Sequence, residues 1–235
     1  MALVKYGGGI IEMSGSIAGN TFARNHYGSY VRARTKPVNP RSTDQNLIRS
    51  ALTALTYKWA QILTDAQRTA WNLYGASVAM KNKLGTDVFM TGFNHYIRSN
   101  TTRMARYNKS FDDGPTVFEL PEKDPSIAVT AYVDTGNCTL TFDDTMEWVD
   151  EDDAALIIWD GRPQNAQRNF FNGPWKGISD KGGDSGAPKT SPEYFDNHWK
   201  PGAGNRQWFK FRIRRGDGRL SEPFFCNSIV VATTP

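Results

Sequence analysis

Cysteine and histidine are scarce, with two of the former and three of the latter in 235 residues. Cys138 and Cys226 belong to no C-x-x-C pair and no histidine lies near either, so the spacing of a zinc framework is missing. No metal or other cofactor is expected. Both cysteines fall in stretches that read as strands, where a free thiol behaves as a small hydrophobe, and they are expected to be reduced. No apolar run approaches the roughly 18 residues of a membrane-spanning helix, so no membrane partner is expected. The N-terminus, Met-Ala-Leu-Val-Lys-Tyr-Gly-Gly-Gly, lacks the charged-then-apolar order of a secretion leader, which places the expected site of synthesis and use inside the cell or in a particle assembled there. Gly7-Gly8-Gly9 is followed by no lysine and Ser/Thr, which excludes a phosphate loop.

What the chain has is charge of opposite sign in its two halves. Residues 1–110 hold 15 Lys or Arg against 4 acids, and residues 111–235 hold 13 against 20. The overall +4 hides this division. A basic half suits nucleic acid, and it suits equally the acidic half of a neighbouring copy, a route to head-to-tail assembly.

Residues 1–41 read as an extended basic arm. Six glycines fall among isolated apolar residues such as Ile10, Ile11, Ile17, Phe22, Tyr27 and Tyr30, which have no evident partner within the arm. Strand addition to a sheet, its own or a neighbour's, would bury them; a flexible linker is the simpler alternative. Arg32, Arg34 and Lys36 alternate with Val31, Ala33 and Thr35, a period of two that sets the charges on one face. Pro37 and Pro40 then keep Lys36 and Asn39 extended. The side chains expected to meet a neighbouring subunit are Arg24, Tyr27, Tyr30, Arg32, Arg34, Lys36 and Arg41.

Residues 42–110 read as a small helical domain. Ser42 with Gln45, and Thr64 with Gln67, have the spacing of capping boxes and predict helices over 43–61 and 64–80. This pair suggests a DNA-binding helix-turn-helix, but the second helix exposes little beyond Arg68, Asn72 and Ser77. A loop is expected over 81–88 and a third helix from Thr91 or Gly92 to 106, with Phe93, Tyr96, Ile97 and Met104 inward and Arg98, Arg103 and Arg106 outward. Residues 111–126, with Pro115, Pro121 and Pro125, read as a linker. Beyond it the period changes to that of strands, over 128–134, 138–142, 154–159, 207–215 and 224–231, and predicts a β-sandwich domain over 127–235 with Trp148 or Trp159 in its core. Residues 162–207 read as a surface insertion. The fold class is α+β with segregated parts: arm, helices and an immunoglobulin- or fibronectin III-like sandwich.

Several motifs fit chemistry only in part. Gly183-Asp184-Ser185-Gly186 matches the nucleophile segment of trypsin-like proteases, but His26 and His95 lie in an arm and on a helix rather than in barrel strands. Arg215-Gly216-Asp217 matches an integrin-binding tripeptide, while Gly-Asp-Gly also suits a hairpin turn. The run Asp150–Asp153 lacks the alternation and glycine of a calcium loop and reads as a solvated acidic face for a basic neighbour. Trp175, Tyr194, Trp199 and Trp208 are the residues a carbohydrate-binding or adhesion module would use.

The series Asn25 to Ser42, then Gln45, Arg49, Trp59, Leu63-Thr64, Gln67-Arg68, Ala70-Trp71, Gly92-Phe93-Asn94 and Asn100, resembles a family of poorly characterised proteins of tailed bacteriophages and prophages, over about the first 105 residues. The β half, with Asp217-Gly218-Arg219-Leu220-Ser221 before its last strand, is similar to the immunoglobulin-like and fibronectin-like modules of phage virion proteins. The resemblance implies a non-enzymatic virion component of head, neck or tail. Its partners would be other virion proteins and copies of itself, with nucleic acid the alternative, and it supplies no catalytic residues.

Overall fold

The computed structural model describes residues 2–35, 38–82, 84–133 and 136–230. The chain opens on four antiparallel strands, β1 (Ala2–Leu3), β2 (Gly15–Ile17), β3 (Asn20–Asn25) and β4 (Gly28–Ala33), in the order β1-β4-β3-β2. The segment expected as an extended arm is thus a small sheet. β3 turns into β4 across His26 and Tyr27, with Asn25 opposite Gly28. Gly28 has φ 116, a region closed to other residues without strain, so the two-residue turn depends on it.

Helix α1 (Thr43–Tyr57) runs on through one π turn (Lys58–Ile62), and α2 (Asp65–Ser77) follows. Both begin where the caps place them. Thr64 and Gln67 form the full box, the Gln67 N–H donating to Thr64 Oγ1 at 3.3 Å and the Thr64 N–H to Gln67 Oε1 at 3.0 Å. Ser42 makes half of one, accepting from the Gln45 N–H at 3.4 Å, while Gln45 Oε1 has no partner. α2 stops at Ser77, short of the expected end, because β5 (Ala79–Lys81) pairs with β6 (Asp87–Phe89) where a loop was expected. α3 (Gly92–Tyr107) is capped by Thr91, which accepts from the Asn94 N–H.

The helices enclose a core of Ala51, Leu55, Trp71, Tyr74, Val78, Tyr96 and Met104. Trp71 is wholly buried, edge-on to Tyr74 and Tyr96, and its Nε1–H donates to Asp112 O at 3.1 Å. Asn100 holds the Phe111 N–H at 2.7 Å, and Lys58 pairs with Asp112 at 3.0 Å. Residues 111–113, the start of the expected linker at 111–126, are therefore bonded to the helices.

Among the described residues the β half has seven strands: β7 (Ala128–Ala131), β8 (Asn137–Thr141), β9 (Ala155–Gly161), β10 (Trp175–Gly182), β11 (Glu193–Asp196), β12 (Arg206–Arg214) and β13 (Phe224–Ile229). They form two antiparallel sheets, β11-β8-β7 and β10-β9-β12-β13, which enclose Leu140, Phe142, Trp148, Leu156, Ile158, Phe209, Phe211 and Ile213. This is the expected β-sandwich, with Trp148 as the core tryptophan; Trp159 lies on the outer face under Lys210. The strand ends expected at 134 and 231 lie outside the described residues. β10 and β11 correct the reading of 162–207 as a surface insertion. β10 carries Gly177, Asp180, Lys181 and Gly182 and shifts register between Gly177 and Ser179, so no apolar alternation marks it.

Both thiols are free and pushed up to about 12 by burial, which makes them poor nucleophiles at neutral pH. We expect Cys138 and Cys226 to stay unreacted with a thiol reagent in the native chain and both to alkylate after unfolding without reductant, as mass spectrometry would show.

Candidate functional site

The side chains expected at a subunit interface do not form one row. Paired residues of antiparallel strands share a face, so Tyr30 and Arg32 lie with Leu3, Thr21 and Ala23 on one side of the N-terminal sheet. Arg24 lies on the other, with Phe22, Ser29 and Val31, and pairs loosely with Glu12 at 3.6 Å. The strand ends at Ala33, which leaves Arg34 beyond it, anchored by its N–H to Gly19 O at 2.8 Å; Lys36 and Pro37 lie outside the described residues. Arg41 has φ 50 and precedes α1, where Asn39 Oδ1 accepts both its N–H and a bond from Arg49. Tyr27, at the hairpin tip, accepts from Asn94 Nδ2 at 3.2 Å and so ties the sheet to α3.

This sheet has apolar side chains and no core. Ile11 is 94 % exposed and Ile17 62 %, and neither of the two buried clusters includes a residue of the sheet. Its edges are the short β1 and β2, which among the described residues leaves most of β4 unpaired on one side and β2 unpaired on the other, open to another strand. Residues 2–35 hold Lys5, Arg24, Arg32 and Arg34 against Glu12 alone. Exposed apolar groups, open strand edges and unpaired cations thus coincide.

A second polar region joins α3 to the sandwich and corrects the expectation that Arg98, Arg103 and Arg106 point to solvent. Arg98 donates to Leu220 O and Ser221 O, both at 2.6 Å. Arg103 is 7 % exposed and pairs with Asp153 at 2.7 Å, with its guanidinium 4.1 Å above the Phe111 ring. Arg106 pairs with Asp180 at 2.8 Å, and the Tyr107 hydroxyl donates to the same oxygen. Burial first, then Arg212, holds Arg98 down at about 10. Burial, then Arg98, holds His95 down at about 4, so its imidazole is neutral, packed edge-on against Tyr74 at 5.0 Å.

The remaining motifs are engaged internally. The Ser185 N–H and Oγ–H both donate to the Asp152 carboxylate, at 2.9 and 3.1 Å. Arg215 pairs with Glu147 and Glu151, and Asp217 with Arg219, so the Arg-Gly-Asp tripeptide is a hairpin turn with its charges satisfied. Within the acidic run Glu151, Asp152 and Asp153 have partners in Arg215, Ser185 and Arg103, while Asp150, Asp152 and Asp153 stay exposed, so the run is a solvated loop as expected, with part of its charge matched from within the chain. Among the described residues no group of three metal-ligating side chains comes together. Of the four aromatics a carbohydrate module would use, Trp208 is buried, Trp175 packs edge-on to Phe171 at 4.9 Å, and Trp199 lies under Arg162 and Lys176. Tyr194 alone of the four is widely exposed.

No family model and no curated protein matches the chain. Among solved structures it is similar to a family 76 glycoside hydrolase from a bovine Bacteroides thetaiotaomicron strain (TM-score 0.33, 13 % identity, 48 % of this chain and 20 % of that one). It is similar also to the adhesin domain of Epf from Streptococcus pyogenes (TM-score 0.30, 14 % identity, 49 % and 34 %). A third is an Fn3-like protein from Clostridium thermocellum (TM-score 0.27, 10 % identity, 48 % and 98 %). The chain thus spans about a fifth and a third of the length of the first two. The sandwich is assigned from its own strand order.

Proposed function

We propose that this chain is a non-enzymatic structural component of a tailed-phage particle, which docks onto a neighbouring subunit through its N-terminal sheet and carries a fibronectin III-like sandwich as its second part. The observation that carries the reading is the sheet itself: among the described residues Ile11 and Ile17 are exposed, the outer strand edges are open, Lys5, Arg32 and Arg34 form no ion pair, and neither buried cluster includes a residue of the sheet. A surface of this kind is stabilised by a partner that adds strands or covers the face, and its positive charge favours an acidic one. The resemblance of residues 25–42 and of the helical motifs to phage proteins supports the particle as the setting. The internal commitment of Ser185, Asp152 and the acidic run supports a structural role over a hydrolytic one. Mass spectrometry of purified particles tests this: the chain should be present at a fixed stoichiometry to the major head or tail protein. Its absence from particles, with the protein abundant in lysates, would remove the reading.

A truncated chain lacking residues 2–35 should melt within about 2 °C of the intact chain, because neither core loses a side chain. Calorimetry would check this, and a collapse in melting temperature would show that the sheet belongs to the fold rather than to an interface.

A further inference from the structure

The arginines between α3 and the sandwich divide by what satisfies them. Arg98 has two carbonyls, Arg103 has Asp153, and Arg106 has Asp180. Arg214, on β12 beside them, is 4 % exposed, and among the described residues it forms no ion pair. Its Nε has no partner, its guanidinium's one hydrogen bond is a long contact of 3.5 Å from Nη2 to Asp153 O, and its remaining contact is the Phe111 ring at 5.8 Å. Burial, then the like charge of Arg103, pushes its pKa down against the smaller opposing effects of Asp180, Tyr107 and Asp153. A guanidinium so buried, beside another and paired with neither nearby carboxylate, is stabilised by an anion that joins it.

Arg214 lines a cleft of about 340 Å³ with Arg103, Tyr107, Lys109, Asp153 and Asp180. That size lies at the lower end of the roughly 300–1,000 Å³ of small-ligand sites. Asp180 is taken by Arg106 and Tyr107, which leaves three cations, Arg103, Lys109 and Arg214, around Asp153 alone. The excess is two positive charges. The cleft wall at the end of β10 is bare because residue 182 is glycine, where an added Cβ would meet nothing closer than Ala154 O at 3.9 Å. Two buried guanidiniums, a flexible ammonium and open space match the geometry by which arginine binds a compact dianion through paired N–H groups.

We propose that this cleft binds a phosphate group, as free inorganic phosphate or as the head of a small phosphomonoester. The site depends on no assembly step and is open to test in the isolated chain. Calorimetric titration of the full chain with inorganic phosphate and with glycerol phosphate, at ionic strength held constant with chloride, should give saturable one-site binding. The tighter of the two titrants identifies the source. Gly182→Leu, which fills the cleft and leaves every cation in place, should abolish binding while the unliganded melting temperature holds. Lys109→Ala should weaken binding about tenfold, the value of one charge-assisted hydrogen bond. Arg214→Gln should remove it. Heat that tracks ionic strength alone, or unchanged affinity in Gly182→Leu, overturns the proposal. Should Gly182→Leu or Arg214→Gln fail to fold, unchanged affinity in Lys109→Ala overturns it equally.

Discussion

Gly92→Ala is expected to break the helical core. A Cβ at position 92 would lie 2.4 Å from Asn72 N and 2.5 Å from the Trp71 carbonyl carbon, and one at Gly75 would lie 2.5 Å from Met90 O. These are backbone atoms of α2 and of the turn into α3, so no side chain can rotate away. The start of α3 meets α2 glycine against backbone, and Trp71 and Tyr74, both fully buried, pack beside that contact. Adding a methyl group must separate the two helices. Overpacking of this kind costs about 3 kcal/mol where the surroundings cannot yield, or roughly 6–12 °C of melting temperature for a chain of this size. Gly19→Ala, with no atom within 4 Å of the added carbon, is the neutral control. Thermal melts of the two variants should separate clearly. Equal melting temperatures would mean that α2 and α3 do not approach as described.

Asp160→Asn is expected to stabilise the protein at pH 8 and to change little at pH 4. Asp160 is wholly buried on β9, where Oδ2 accepts from the His198 N–H at 3.1 Å and Oδ1 has no partner. Burial raises its pKa from 3.8 to about 7, against the smaller opposing effects of the His198 and Trp199 N–H groups and Lys176. Because the folded value lies above the unfolded one, the folded chain keeps a proton that the unfolded chain releases. The contribution to stability is greatest below the unfolded value, falls as pH rises, and is lost once pH passes the folded value. A shift of this size corresponds to on the order of 4 kcal/mol between the two protonation states, an upper bound on the fall. Asparagine removes the titration, so denaturant melts of the variant should be flat across this window while the parent weakens. A parent curve that is flat or rises between pH 5 and 8 would show that the carboxylate is satisfied.

What could be seen in the sequence was what local chemistry decides. Ser42, Thr64 and Thr91 cap helices through atoms three residues away, so each start was legible, and the apolar, strand-type runs of β8, β9, β12 and β13, bounded by turn residues, needed no partner to be recognised. What escaped depends on distant residues. Arg98, Arg103 and Arg106 look like the solvated end of a helix until Leu220, Asp153 and Asp180 are brought to them from elsewhere in the chain. β10 is a strand because β9 pairs with it, although Gly177 and Asp180 argue against one locally. The arm showed its apolar and cationic residues, but the pairing that puts Tyr30 with Arg32 and turns Arg24 away follows from the turn at Gly28 and the register it sets. The cleft at Arg214 had no signal in the sequence, since its three cations come from α3, the turn after it and β12.

Docking of the N-terminal sheet on protein is tested most directly by replacing Tyr30, Arg32 and Arg34 together with alanine and measuring both incorporation into particles and affinity for duplex DNA across a salt series. Exposed charges contribute little to stability, so the variant should fold. Incorporation should fall sharply, and the intact chain should bind DNA negligibly near physiological salt. Tight DNA binding by the intact chain, with a salt slope that drops by about 0.9 for each lost phosphate contact in the variant, and incorporation unchanged, would contradict docking on protein and assign the sheet to nucleic acid.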